Sequence, residues 1–442
     1  MSVLDRARAA GVMAGETAVQ HQRLFRAAAG FSRVLIVQTL IQVLVAVSGL
    51  LVVRALGTTQ YALYTVGAAA VTAVAALTNG GVLDGMTVLG ARARFDAVRL
   101  ATLIRVVTAL RRRLALGVLL PIGVPTAWLL WHQGASLPTI TLVVLSVSLV
   151  GLGELRYSVL HLVPWLQGKV EQLQAVELQG ALARVAGCAV LPVLIPRADI
   201  AILCAAAAYA VQLCLLHRRG LVPAAEPAPE QEPEARTEIM RILRRQWPND
   251  LNALAQSQAS LWLLTLFAGS ADIAAFGALS RVSLIFAIIL QAVHRTMLAR
   301  YAVQQDRRRG TRLYVTILAA FAAAAAPPLA ALLAFPGPVL ALFGPAYEGL
   351  SPALRLVAVN AFLASLASLT LWLNTTRAWI MPSGFRILYQ SGFQIGLVLL
   401  TGARSVEGVV LAGIGVNAAI ILANIVYSRL RFRQIPEIVE NA

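Results

Sequence analysis

Twelve apolar stretches in which charges are sparse dominate this sequence. They lie at 34–53, 61–82, 114–131, 139–160, 176–195, 199–216, 251–268, 273–293, 313–334, 353–373, 385–401 and 407–427. A run of roughly 17 to 25 such residues crosses the hydrocarbon core of a bilayer as a helix. A helix is the economical form there because it satisfies its own backbone polar groups. Composition agrees. The chain is 59% hydrophobic and 13% charged, with a mean hydropathy of +0.75. Soluble domains are nearer half apolar and a quarter charged, and a soluble protein of 442 residues could not hide this much apolar surface. The chain therefore reads as an all-α polytopic membrane protein with twelve transmembrane helices.

The segments between these stretches alternate in charge. One set carries Arg92, Arg94, Arg99, Arg105 and Arg111 to Arg113, then Lys169, then Arg218, Arg219, Arg236, Arg241, Arg244 and Arg245. It continues with Arg300, Arg307 to Arg309 and Arg312, then Arg377 and Arg386, then Arg429, Arg431 and Arg433. The other set holds Arg54, Arg197 and Arg404, with Arg355 at its edge. The basic side of a membrane protein faces the cytoplasm, which places both termini on the cytoplasmic side of a cytoplasmic (inner) membrane. The net charge of +17 follows from these clusters, so nucleic acid is not an expected partner. Residues 1–33 show no short apolar core with a cleavage site and read as a cytoplasmic, partly amphipathic lead-in.

An internal repeat organises the twelve stretches. Residues 54–64, Arg-Ala-Leu-Gly-Thr-Thr-Gln-Tyr-Ala-Leu-Tyr, return as residues 266–276, Leu-Phe-Ala-Gly-Ser-Ala-Asp-Ile-Ala-Ala-Phe. Gly57 matches Gly269, Thr58 matches Ser270, Ala62 matches Ala274 and Tyr64 matches Phe276, an offset of 212 residues. A fixed offset near half the chain is the mark of a duplication. Six spans per half leave both halves in one orientation, so their pseudo-two-fold axis runs along the membrane normal. The expected organisation is a lead-in at 1–33, a six-helix lobe at 34–217, a cytoplasmic linker at 218–246, a second six-helix lobe at 247–428 and a tail at 429–442, with a central cavity between the lobes. Residues 220–238 hold four prolines and five glutamates and read as an extended, mobile connection.

Catalytic motifs are absent. There is no Gly-x-x-x-x-Gly-Lys-Ser/Thr phosphate loop and no Cys/His cluster with zinc spacing. Cys188, Cys204 and Cys214 lie in or beside apolar stretches and read as packing residues without a disulfide. The longest external segment, about 335–352, is too short for an extracellular domain, which weighs against an integral-membrane glycosyltransferase or ligase. No enzyme activity and no resident cofactor are expected.

Several motifs resemble one superfamily. Val53-Arg-Ala-Leu-Gly with Tyr61-Ala-Leu-Tyr is similar to the first two helices of the multidrug/oligosaccharidyl-lipid/polysaccharide (MOP) exporters, especially their polysaccharide flippases. Leu77-Thr-Asn-Gly-Gly-Val resembles the end of their second helix, with Asn79 where an acid is usual. Gly277-Ala-Leu-Ser-Arg-Val and Met297-Leu-Ala-Arg resemble their eighth helix and its exit, and Leu342-Phe-Gly-Pro-Ala-Tyr their external segment before helix ten. Phe31-Ser-Arg-Val also resembles the start of the lipid II flippases. Twelve spans and a second helix without Arg at Ala75-Ala-Leu-Thr-Asn-Gly point away from that branch. The resemblance implies two lobes in a V that opens alternately to either side, and undecaprenyl-pyrophosphate-linked oligosaccharide as cargo. It further implies membrane lipids and polysaccharide polymerase or export machinery as partners. An H+ or Na+ gradient is the expected drive. The alternative within the superfamily is an ion-coupled multidrug and toxin exporter.

Charges inside apolar stretches are costly and each needs a reason. Arg281 lies about nine residues into the eighth stretch, roughly 13 Å at the helical rise, near the midplane. No acid stands one turn away: the neighbours are Gly277, Ala278, Leu284 and Ile285. The resemblance implies an Arg facing the cavity, where a guanidinium can hold a pyrophosphate by two parallel hydrogen bonds. The alternative is a pair with an acid on another helix, such as Glu154. Glu154 and Arg184, at similar depth on consecutive spans, read as a structural ion pair or as a coupling site. Arg54 ends the first span and reads as snorkelling to headgroups or touching cargo. Arg33, Arg184, Asn79 and Asn360 complete the cargo candidates. Asp84 and Asp250, at span ends, are ion-coupling candidates, with local caps or Arg pairs as the other reading.

Overall fold

The computed structural model describes residues 34–434 apart from 35, 224, 303, 305, 378, 380, 403 and 404. The expected lead-in, including Arg33, and the tail from 435 lie outside the described residues, as does Arg404. Among the described residues there is no strand. Ten helices are long and apolar enough to cross a membrane, and two further helices carry the remaining apolar stretches. The protein is a multi-pass membrane protein.

The first lobe contains α1 (Ile36–Ala55), α2 (Thr58–Asn79), α3 (Val82–Ala93), α4 (Ala97–His132), α5 (Leu137–Leu166), α6 (Val170–Leu194) and α7 (Ala198–Arg218). The second contains α8 (Glu232–Phe267), α9 (Ser270–Leu279), α10 (Ser283–Ala302), α11 (Arg307–Ala334), α12 (Pro336–Phe343), α13 (Ser351–Thr376), α14 (Ser383–Thr401) and α15 (Val406–Arg433). A single 3₁₀ turn, Ser280–Val282, joins α9 to α10, and the three together form the eighth span. The apolar stretch 251–268 is the last half of α8, and α14 carries 385–401.

The duplication is visible in the backbone and in the packing. Gly57 and Gly269 both precede a helix in extended conformation, with ψ of 159° and 169°. Asp96 caps α4 by accepting from the amides of Val98 and Arg99, and Asp306 caps α11 by accepting from Arg309. In the first lobe α2 packs on α4 and α5, α4 on α5, and α7 on both α5 and α6. In the second, α10 packs on α11 and α13, α11 on α13, and α15 on both α13 and α14. These are the same pairings shifted by six spans. Thr65 and Gly277, which are 212 residues apart, face each other across the lobes: a Cβ on Gly277 would collide with the Thr65 side chain.

Several segments between spans are more ordered than composition suggests. At 36 residues, α4 is about 54 Å long at the helical rise, whereas the hydrocarbon core is near 30 Å. Its first half, with Arg99, Arg105 and Arg111, extends the third span well ahead of the apolar stretch. The 220–238 segment is not extended throughout. A 3₁₀ turn forms at Pro229–Gln231 and α8 begins at Glu232. Its first turns bury Ile239 and Leu243 against Val82, Met86 and Val107 of α3 and α4. Two ion pairs, Arg105–Glu232 at 3.1 Å and Arg92–Glu238 at 3.7 Å, run along that contact. Two of the linker glutamates, Glu232 and Glu238, are thus opposed by arginines of the first lobe, and the apolar residues beside them find a surface to bury.

The lobes meet in two places. At the Arg-poor end α2 packs on α9, within one apolar cluster that joins Val52, Leu56 and Tyr61 to Leu264, Ile273, Phe343 and Tyr347. At the Arg-rich end the α2–α3 turn meets α8. Gly80 lies against the Asp250 carboxylate, and Gly81 has φ +61°. A Cβ on Gly81 would stand 2.6 Å from the Leu243 Cα, a backbone atom that cannot rotate away. Gly81→Ala therefore combines left-handed strain with overpacking, and is expected to destabilise by about 2–4 kcal/mol. Gly57→Ala, with open space around its Cβ, should stay within about 0.5 kcal/mol. Thermal midpoints in detergent measure both, and equal midpoints would refute the close-packed turn.

Candidate functional site at the lobe interface

Arg281 sits where the eighth span is locally wound as a 3₁₀ turn. Such a tightening inside a long helix accompanies functional hinges. Ser280 and Ser283 donate back to the carbonyls of Gly277 and Ser280 at 2.9 and 2.6 Å, a pattern that bends helices. The guanidinium leaves the second lobe and enters the first. Nη2 donates to the Tyr64 hydroxyl at 3.3 Å, and the group lies 6.0 Å from that ring's centroid. Tyr61 stacks on Tyr64 with centroids 5.5 Å apart. Its buried hydroxyl has no hydrogen-bond partner. Gly49 of α1 makes room for the Arg: a Cβ there would be 3.0 Å from Nη1. The expected alternative, a pair with an acid such as Glu154, is not formed. Arg281 forms no ion pair with a carboxylate among the described residues.

Glu154 and Arg184 share a second place, a cavity of about 390 Å³ inside the first lobe. Gln38 of α1, Glu154 and His161 of α5, Glu177 and Arg184 of α6 and Tyr209 of α7 line it. The expected Glu154–Arg184 ion pair is absent. The pair that does form is His161 Nε2 with Glu177 at 3.3 Å. Similar depth on consecutive helices is not enough: rotation about each helix axis decides whether two side chains meet. The Arg184 Nε is buried without a hydrogen-bond partner.

The other candidates are engaged elsewhere. Arg54 donates to the carbonyls of Leu342 at 2.7 Å and Ala341 at 3.0 Å. It thus caps the end of α12 across the lobes, where a cation is favoured by the helix dipole, and neither snorkels freely nor faces a cavity. Asn360 accepts from Asn417 at 2.9 Å and so ties α13 to α15, the usual use of amides between membrane helices. Asn252 does the same for α8 and α14 through Gln390 at 2.7 Å. Asp84 and Asp250 come together at the α2–α3 turn, outside the apolar stretches. Burial pushes the Asp84 carboxyl up. Burial first, then the charge of Asp84, pushes Asp250 up to about 6.

Sequence reading missed Arg111. It belonged to the basic cluster between spans, yet it is 1% exposed. Nε donates to the Thr78 carbonyl at 3.2 Å, and Nη1 to the Leu155 carbonyl and the Ser158 hydroxyl at 2.7 Å each. Nη2 donates to Asn79 Oδ1. Asn79 is therefore part of this clamp on the end of α2. The one available signal was helical phase: Val107, Leu110 and Arg111 share the buried face of α4.

No protein-family profile and no curated protein sequence matches the chain. Solved structures do. One described as the inward-facing conformation of a multidrug resistance MATE family transporter of the MOP superfamily matches with a TM-score of 0.70 and 15% identity, covering 91% of this chain and 98% of that one. A MATE in the straight conformation matches with a TM-score of 0.62 and 16% identity, over 91% and 95% of the two chains. An outward-facing MATE transporter matches with a TM-score of 0.54 and 14% identity, over 91% and 94%. The score is higher against the inward-facing structure than against the outward-facing one. Over 91% of its length the chain has the two-lobed fold of solved MATE family transporters.

Proposed function

We propose that the protein is a cytoplasmic-membrane exporter that works by alternating access and moves a polyprenyl-pyrophosphate-linked oligosaccharide outward. The observation that carries the cargo class is Arg281, an intramembrane guanidinium held by tyrosines with no carboxylate partner. An Arg at that depth is retained for a reason, and a phosphate-bearing headgroup is the complementary ligand. The Arg-rich end is cytoplasmic by the positive-inside rule, so the packed Arg-poor end closes the outer side. The polyprenyl tail stays in lipid while sugar and pyrophosphate pass between the lobes. The lobe interface is used for binding and translocation, with no bond made or broken.

A second reading is an ion-coupled multidrug exporter. Fold similarity taken alone favours it, since the solved structures are described as multidrug transporters. The specific observation for it is the Glu154, His161 and Glu177 set in the first-lobe cavity, a site suited to exchanging H+ or Na+. Proteoliposomes decide between the two. The first reading expects a fluorescent polyprenyl-pyrophosphate oligosaccharide to become accessible from the opposite face, without gradient-driven efflux of a cationic dye. Dye efflux with no glycolipid movement would replace it by the second. Reporter insertions at residues 225 and 345 should read cytoplasm and exterior respectively, and the reverse pattern would invert the direction of transport.

A further inference from the structure

A hollow of about 1160 Å³ runs down the outside of the first lobe, on the face of α5 opposite the polar cavity. Its lining comes from α4, α5 and α7 and from Val222, with no residue of the second lobe. On α5 it is lined by Leu149, Leu152, Gly153 and Arg156, spaced i, i+3, i+4 and i+7 on one helix face. On α7 the lining runs from Leu203 through Ala206, Ala207, Ala210 and Leu213 to His217. The small residues of α7 make the hollow. Its apolar part, Leu203 to Leu213, is about 15 Å long at the helical rise. That is half of the roughly 30 Å hydrocarbon core, the depth of one leaflet.

The end of the hollow towards the Arg-rich side is a basic rim of Arg105, Arg112, Arg156 and His217. No carboxylate lines it. Arg105 is paired with Glu232. Arg112 and Arg156 are exposed and enter none of the ion pairs among the described residues. An apolar wall one leaflet deep below a ring of cations is complementary to an amphiphile with those two parts. Basic pockets between membrane helices hold anionic lipid headgroups in this way.

We infer that this groove binds an anionic phospholipid of the leaflet at the Arg-rich end. Its acyl chain lies along the small-residue stripe of α7, and its phosphate lies between Arg112 and Arg156. The inference stands apart from the cargo, because the groove opens to the bilayer and not to the lobe interface. It also touches function, because Arg111, which clamps the end of α2, lines the groove as well. An occupied rim therefore stiffens the helix that carries Tyr61 and Tyr64.

The test is thermal stability of the full chain in neutral detergent, titrated with phosphatidylglycerol, phosphatidylcholine or glycerol 3-phosphate. Phosphatidylglycerol should raise the midpoint saturably, and the other two should not. The double variant Arg112→Gln/Arg156→Gln should need roughly thirtyfold more phosphatidylglycerol for half the effect, at about fivefold per charge near the membrane surface. Ala207→Phe, at an exposed position, fills the groove without changing charge and should abolish the shift. The single Arg variants, each near fivefold, serve if the double variant does not fold. An equal response to phosphatidylcholine would overturn the inference, as would an unchanged titration in the charge and groove variants. So would a full shift from glycerol 3-phosphate alone, which would make the rim a soluble-phosphate site.

Discussion

Arg281→Ala is expected to leave transport at about 3% of wild type or less, with the protein still folded in the membrane. The guanidinium crosses from the eighth span into the first lobe and is met there by phenols, not by a carboxylate. An anionic headgroup arriving between the lobes finds its charge uncompensated. Truncating one partner of a desolvated charge pair costs 2–5 kcal/mol, which is about thirtyfold or more in an equilibrium. The fold has little at stake in the same change. Alanine removes a single 3.3 Å hydrogen bond to Tyr64, and the space opens beside Gly49. Arg281→Lys should recover part of the activity, because charge remains while the two-pronged geometry is gone. Glycolipid complementation at matched membrane levels measures both variants. Full activity of Arg281→Ala would remove this residue from cargo recognition and leave it as a packing element of the hinge.

Arg111→Met is expected to do the opposite, damaging the fold before any transport step. The side chain makes four hydrogen bonds to groups on α2 and α5. Methionine keeps much of its length and removes every donor. The carbonyls of Thr78 and Leu155, the Ser158 hydroxyl and the Asn79 amide oxygen then face a protein interior without their present partner. The Leu155 carbonyl keeps its place in the α5 ladder, and the Ser158 hydroxyl still donates to the Glu154 carbonyl. The Thr78 carbonyl and Asn79 Oδ1 are therefore the acceptors left without this donor, at about 1–3 kcal/mol each, offset in part by the relief of a buried charge. A net loss of about 2 kcal/mol or more follows. Arg111→Lys, with charge but one point of attachment, should fall between. The readout is the thermal midpoint and the monodisperse fraction in detergent. A wild-type midpoint for Arg111→Met would mean that the end of α2 is held by α8 and the Gly80–Gly81 turn alone.

These two arginines differ in how far the sequence revealed them. Arg281 stood alone in an apolar stretch, without an acid one turn away, and that isolation marked it. Arg111 stood in a run of three arginines and looked like surface charge. It stands three residues ahead of the apolar stretch, and only the continuation of α4 back to Ala97 keeps it helical and carries it under the end of α2. Arg54 was recognisable as the end of a helix, but its partners are carbonyls 287 and 288 residues away. Nothing near it in the chain encodes that.

What the sequence determined by itself was local and additive. Each apolar stretch declares a span through its own length and hydropathy, the Arg clusters declare which ends lie together, and the 212-residue offset declares two equivalent lobes. Each of these properties is carried by one segment, or by the comparison of two segments, and needs no knowledge of neighbours. The tertiary structure alone decided which polar groups meet. Glu154 and Arg184 share a cavity without pairing, His161 finds Glu177, and the glutamates of 220–238 find Arg92 and Arg105. Those outcomes depend on the rotation of each helix about its axis and on close approaches such as Gly81 on Leu243. Helix packing sets such angles and distances jointly across the whole bundle, so no single stretch of sequence contains them.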